Sequence, residues 1–131
     1  MSKYVVRQAD FEEIKKACSH DKRLWLSPTA VNYALDVDDK PVAYISYIVM
    51  RNKVLRITLA YTFSEYRSKG YGSKLLSYTE KMMREKYPNL TKIETCALLD
   101  SVKFYTRLGL KVVKFKSYKV ADCAIMERIY S

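Results

Sequence analysis

Between residues 54 and 86 the hydrophobic period of this chain changes from two to 3.6, and it does so across Arg67-Ser68-Lys69-Gly70-Tyr71-Gly72. Upstream, Val54 to Phe63 is the β-branched and aromatic run of a strand. Downstream, Leu75, Leu76, Thr79, Met82 and Met83 recur at helical spacing until Pro88 ends the pattern. A strand must therefore hand over to a helix through a loop with two glycines. Glycine lets the main chain approach an anion closely, and the first N–H groups of the following helix have no partner inside it. The helix dipole adds positive potential, as do Arg67, Lys69 and Lys74. The loop predicts a pyrophosphate cradle made of Arg67, Ser68, Lys69, Gly70, Tyr71, Gly72, Ser73 and Lys74. Leu75 stands where a dinucleotide fingerprint needs its third glycine, and the P-loop spacing is absent.

The remaining elements follow from period and punctuation. Lys3 to Arg7 reads as a first strand. Asp10 and Glu13 form a capping-box pattern for a helix striped by Phe11, Ile14 and Cys18. Ser27-Pro28 offers the cap and first position of a short second helix. Alternation through Tyr33, Leu35 and Val37, then Val42 to Met50 and Val54 to Phe63, predicts a three-strand meander turning at Asp38-Asp39-Lys40-Pro41 and at Arg51-Asn52-Lys53. After the helix from Tyr71 to Lys86, Thr91 to Leu98 reads as a buried strand. Asp100 would cap a short helix through Leu108, closed by Gly109. Leu110 to Phe115 and Ala121 to Ile129 make a final hairpin. The expectation is one α+β domain over 1–131: a mixed, mostly antiparallel sheet of about seven strands with about four helices. The edge strands near the C-terminus leave room for a homodimer.

Composition narrows the function classes. At 131 residues and 49% hydrophobic content the chain can bury a core, and no apolar run approaches the ~20 residues of a membrane span. The start, Met1 to Val6, turns polar at Arg7 and is too short for a signal peptide. Cys18, Cys96 and Cys123 are odd in number and scattered, so they read as reduced thiols in the cytoplasm. With His20 the single histidine, no metal site is expected. The net charge of +10 would attract a phosphate-rich ligand, although the basic residues are spread along the chain.

The loop also resembles a known signature. Arg67, Gly70 and Gly72 match the Arg/Gln-x-x-Gly-x-Gly/Ala spacing with which the GNAT superfamily of N-acetyltransferases binds acyl-CoA. Phe104-Tyr105-Thr106-Arg107-Leu108-Gly109-Leu110 is similar to a second segment of that family, which carries a tyrosine near the thioester sulfur. The resemblance covers most of the chain and implies acetyl-CoA as co-substrate. It implies that backbone at Tyr61, Thr62 and Phe63 pairs with the pantetheine arm, and that Tyr105 protonates the leaving thiolate. The chain departs from the pattern at Leu98, where the family has an asparagine, and at Leu110, where it has an aromatic residue.

N-acetylation needs a neutral amine, and deprotonating an alkyl amine at pH 7 costs roughly 4.6 kcal/mol. Glu94, on the following strand, and Asp100, opening the helix of Tyr105, are the candidate bases, beside a water chain relayed by hydroxyls. The acceptor is open: a polyamine, another small amine or a lysine side chain. Two other readings remain. One is an acyl-CoA-binding module with weak catalysis. The other is a basic nucleic-acid-binding protein, disfavoured because no helix gathers its arginines and lysines on one face.

Overall fold

The structure is a computed structural model that describes residues 2–131. Seven strands form one sheet: β1 (Tyr4–Ala9), β2 (Val31–Val37), β3 (Lys40–Val49), β4 (Val54–Thr62), β5 (Lys92–Leu98), β6 (Lys111–Ser117) and β7 (Asp122–Ile129). Their spatial order is β1-β2-β3-β4-β5-β7-β6. All neighbours are antiparallel except β4 and β5, which are joined by the helix after the glycine loop and run parallel. The expected mixed, mostly antiparallel α+β sheet is what forms.

Among the described residues three α-helices flank it, not four: α1 (Phe11–Cys18), α2 (Tyr71–Lys86) and α3 (Val102–Arg107). The segment around Ser27-Pro28 makes turns, with the Ala30 N–H reaching only the Ser27 carbonyl at 3.3 Å. Its apolar side chains explain why. Leu24 and Leu26 pack beside Ile14 and Cys18 of α1, and that burial holds the chain in an irregular path. A second correction concerns α3, which begins at Val102 without a side-chain cap. Asp100 sits in the preceding 3-10 turn, Leu99–Ser101, and its carboxylate goes to Arg23 instead. The C-terminal end of α3 matches its sequence signal. Gly109, at φ +89°, donates to Thr106, and Leu110 donates to Tyr105.

α1 covers one face of the sheet, burying Ile14 and Cys18 against Ala34, Tyr44 and Leu59. Asp10 caps it by accepting from the Glu13 N–H at 2.9 Å. The Glu13 side chain does not complete a capping box, however. It takes two bonds from Arg7, at 2.9 and 2.7 Å, and one from the Tyr44 hydroxyl at 2.7 Å. The Arg7 guanidinium, and then Tyr44, hold the Glu13 carboxyl below its ordinary range despite partial burial. α2 and α3 lie on the other face, where Leu75, Leu76 and Met83 of α2 join Tyr33, Leu35, Ile45 and Tyr47 of the meander in the main core.

The detail that matters most for function is a bulge in β4. Tyr47 pairs with Ile57 and Ser46 with Leu59, so Thr58 is extra. Pairing between β4 and β5 stops at the same place, with Ile57 opposite Thr95. Beyond it the two parallel strands diverge. The Thr95 hydroxyl donates to the Ile57 carbonyl at 3.1 Å and closes the last rung before the gap.

Candidate active site

Two cavities open at this gap, one in front of α2 and one on the other side, beside the β6–β7 hairpin. The first has a volume of about 610 Å³, the second about 430 Å³. Their linings share Arg23, Leu24, Ala60, Leu98, Ser101 and Tyr105. A molecule threaded through the gap would pass these residues.

The first cavity contains the glycine loop. Gly70 is at φ +82° with nothing near its absent side chain, so conformation requires glycine there. Gly72 is favoured for the opposite reason, a close approach. A Cβ would come within 3.2 Å of both the Phe104 ring and the Thr62 hydroxyl. Ser68 also has positive φ, at 64°, a position that costs a non-glycine residue roughly 1–2 kcal/mol. Together these turns leave the N–H groups from Ser68 to Ser73 without a backbone acceptor among the described residues. The first helical bond of α2 is Lys74 to Gly70, at 3.0 Å. Six adjacent donors at the N-terminus of a 16-residue helix form an anion nest.

Arg67 is tethered here: its Nε donates to the Thr62 carbonyl at 2.8 Å, and its guanidinium lies 5.8 Å from the centre of the Tyr61 ring. Tyr61, Thr62, Arg67, Ser68, Gly70, Tyr71, Gly72 and Ser73 all line the cavity. Phe63, Lys69 and Lys74 do not. Phe63 packs on Tyr44 and Tyr61 toward α1, and the Lys74 ammonium sits 4.1 Å over the Tyr4 ring. The Phe63 N–H is spent on the Val42 carbonyl. Strand alternation then turns the N–H groups of Thr62 and Ala60 toward the gap, away from β3. The donors, the space at Gly72 and the strand edge fit an elongated cofactor with a pyrophosphate.

Tyr105, only 4% exposed, is the one buried residue among the six that line both cavities. Burial pushes its hydroxyl up to about 12, with the Thr95 hydroxyl pulling the other way. It is therefore a protonated donor at every physiological pH.

The second cavity is made of side chains. Glu94 lines it and accepts from Arg56 at 3.0 Å. Trp25, Tyr118 and Val120 form its mouth, and Thr58 lines its inner wall. The Thr58 hydroxyl is buried and has no hydrogen-bond partner among the described residues. Asp100 is not here. It lies along the first cavity with its side chain 65% exposed and bonded to Arg23 at 3.4 Å. Cys96, which the sequence presents as part of a buried strand, is exposed in this second cavity and donates to the Tyr118 hydroxyl at 3.9 Å. Its neighbour Cys123 is buried, and that burial raises its thiol to about 11. No group of three or more potential metal-ligating residues occurs among the described residues, and no helix among them is long and apolar enough to cross a membrane.

Arg56, Thr58, Trp25 and Tyr118 carry no signal of a site in the sequence. They come together only because β4 bulges, β5 diverges and the β6–β7 hairpin folds over the gap.

Known proteins show the same arrangement of elements. The profile of the acetyltransferase (GNAT) family matches residues 4–110. No curated protein sequence gives a significant match. Among solved structures, the ribosomal-protein-S18-alanine N-acetyltransferase of Escherichia coli superposes with a TM-score of 0.77, at 13% identity over 97% of this chain and 94% of that one. The PaiA N-acetyltransferase of Thermoplasma acidophilum, in complex with coenzyme A, gives 0.73 at 16% identity over 98% and 99%. Arabidopsis thaliana Naa50, bound to a bisubstrate analogue of CoA and a peptide, gives 0.72 at 15% identity over 97% and 99%. At these identities the superpositions speak for the fold, and the family match carries the membership. The chain belongs to the GNAT acetyltransferase family and is an acyl-CoA-dependent N-acetyltransferase.

Proposed function

We propose that the protein transfers the acetyl group of acetyl-CoA directly to a primary amine that enters from the hairpin side, with Tyr105 at the point of transfer. The observation that carries this reading is that two cavities, one lined by backbone donors and one by side chains, meet at a single buried tyrosine in the β4/β5 gap. Acetyl-CoA, bound through the gap, supplies an activated acetyl group. The N–H groups from Ser68 to Ser73 hold its pyrophosphate, with Arg67 alongside. The N–H groups of Ala60 and Thr62 are the donors available to the pantetheine amides and the thioester oxygen, where they stabilise developing negative charge.

The net reaction joins the acetyl carbon to the amine nitrogen, breaks the carbon–sulfur bond and moves one proton from nitrogen to sulfur. Tyr105 gives a hydrogen bond to the sulfur. A phenol near 12 keeps its own proton against a thiol of ordinary pKa ~8.5, so Tyr105 stabilises the thiolate and passes on a proton only as one is returned. On the acceptor side, Glu94 is the one carboxylate lining the cavity among the described residues. It takes the amine proton, directly or through water in the cavity. Asp100, on the far wall and held by Arg23, is the weaker candidate for this role. The residues shared by both cavities include no cysteine, which supports direct transfer over an acyl-enzyme. The three free thiols fit a reducing, cytoplasmic setting.

The test is release of free CoA thiol from acetyl-CoA in the presence of small primary amines, polyamines and lysine peptides, read beside acetyl-CoA binding. Thiol release that depends on both the amine and Tyr105 supports the reading. Tight binding of acetyl-CoA with no transfer to any amine would recast the protein as an acyl-CoA-binding module.

A further inference from the structure

The acceptor cavity carries a chemical bias of its own. Polyamines are recognised by several carboxylates, yet this cavity offers only Glu94, and that carboxylate is already bonded to Arg56. Arg56 uses only Nη2 in that bond. Its remaining N–H donors have no acceptor among the described residues, in a side chain 38% exposed. Lys116 lines the same cavity from β6 and has no carboxylate partner among the described residues. Lys114 and Lys119 extend the positive charge along the hairpin. A guanidinium with unused donors and an ammonium without a carboxylate partner, lining one cavity, suit an anionic group and repel a polycation.

The mouth has a second character. Trp25, Tyr118 and Val120 are large apolar side chains left 52%, 50% and 60% exposed, and all three converge on this cavity. Exposed apolar surface gathered around one concavity, rather than scattered, marks a place where an apolar body docks. A cavity of about 430 Å³ admits a single small molecule of that kind.

We infer that the acceptor is a primary amine carrying an aromatic or branched apolar body and an anionic group. The apolar body packs between Trp25 and Tyr118, the anion meets Arg56 and Lys116, and the amine faces Glu94 and the gap. This rests on the reading of the second cavity as the acceptor site. It removes polyamines from the acceptor classes that the sequence alone leaves open.

The experiment compares three matched amines: an aromatic α-amino carboxylate such as phenylalanine, its decarboxylated counterpart phenethylamine, and the corresponding 1-aminophosphonate, with spermidine as the polycation. Both kcat/KM and, in protein saturated with CoA, equilibrium binding are measured. The carboxylate or the phosphonate should exceed phenethylamine by at least about tenfold, the effect of one charge-assisted hydrogen bond. Whichever anion is preferred is the better match to the cations lining the cavity. Spermidine should be the poorest. Arg56→Gln should collapse the ratio between anionic and neutral amines toward one, and Lys116→Gln should reduce it in a salt-sensitive way. Equal binding of phenethylamine and the amino acid, a preference for spermidine, or a ratio unmoved by Arg56→Gln would overturn the inference. If no amine releases thiol while the binding preference persists, transfer chemistry fails and the anion-selective pocket stands.

Discussion

The two cavities that meet at Tyr105 are built from different materials. The one in front of α2 is made largely of main chain: N–H groups from Ser68 to Ser73 with no backbone acceptor among the described residues, the edge of β4, and the close approach of Gly72 to Phe104. The one beside the hairpin is made of side chains from four separate stretches, Trp25, Arg56, Glu94 and Tyr118. A backbone nest recognises phosphate whatever side chains decorate it. A side-chain pocket can be re-cut for a new acceptor by a few substitutions while the fold and the cofactor loop stay as they are.

That contrast can be broken experimentally. The largest effect is expected at the junction. Tyr105→Phe should lower kcat by about 100-fold, the low end of the range for a positioned proton donor, with acetyl-CoA affinity held within about threefold. A matching loss of affinity would make Tyr105 part of the cofactor half instead. Next comes Gly72→Val, which drives a side chain into Phe104 and Thr62. It should weaken acetyl-CoA binding by about 50-fold, or roughly 2.3 kcal/mol, in a protein whose circular dichroism is unchanged.

Truncating the side-chain half should weaken acceptor use selectively. Trp25→Ala is expected to raise the acceptor KM by about tenfold, the value of a partly buried aromatic contact, and to leave acetyl-CoA binding alone. Ser68→Ala and Ser73→Ala, in the backbone half, should change acetyl-CoA affinity by less than about threefold. If those two serines matter as much as Trp25 does, the division of materials is wrong.

A stability measurement sharpens the same point. The hydroxyl of Tyr105 is raised to about 12 in the folded protein, chiefly by burial. A group whose folded pKa lies above its unfolded value stabilises the fold below the unfolded pKa, near 10, and loses that contribution as pH rises through 12. Denaturant midpoints should therefore fall between pH 10 and 12, by an amount of roughly 2–3 kcal/mol for this group. Tyr105→Phe should make that fall shallower.

The division of materials also explains which parts were legible in the sequence. The glycine loop between β4 and α2 was, because its parts are contiguous and a glycine spacing records where the backbone turns and comes close. Seven strands and the α2 crossover were legible too, since each has a clear period and a clear stop. The helix expected at Ser27-Pro28 was not there, because a cap signal competes poorly with burial of Leu24 and Leu26 against α1. Thr58 gave no warning of the bulge: the apolar alternation of β4 runs on either side of it, and only the register with β3 reveals the extra residue. The exposure of Cys96 was not legible either, because the residue faces the second cavity beside Tyr118, which is a fact about packing and not about composition. Nothing in the order of residues says that Arg56 and Glu94, 38 positions apart, will face one another across the start of a gap.

The most direct test follows the N–H groups themselves. In an amide-resolved NMR titration with acetyl-CoA, the resonances of residues 68–73, Ala60 and Thr62 should shift most, while the Trp25 indole and the Tyr118 amide stay nearly still until an amine is added. If the 68–73 amides do not move, or if the hairpin residues respond to acetyl-CoA first, the assignment of the two cavities is contradicted.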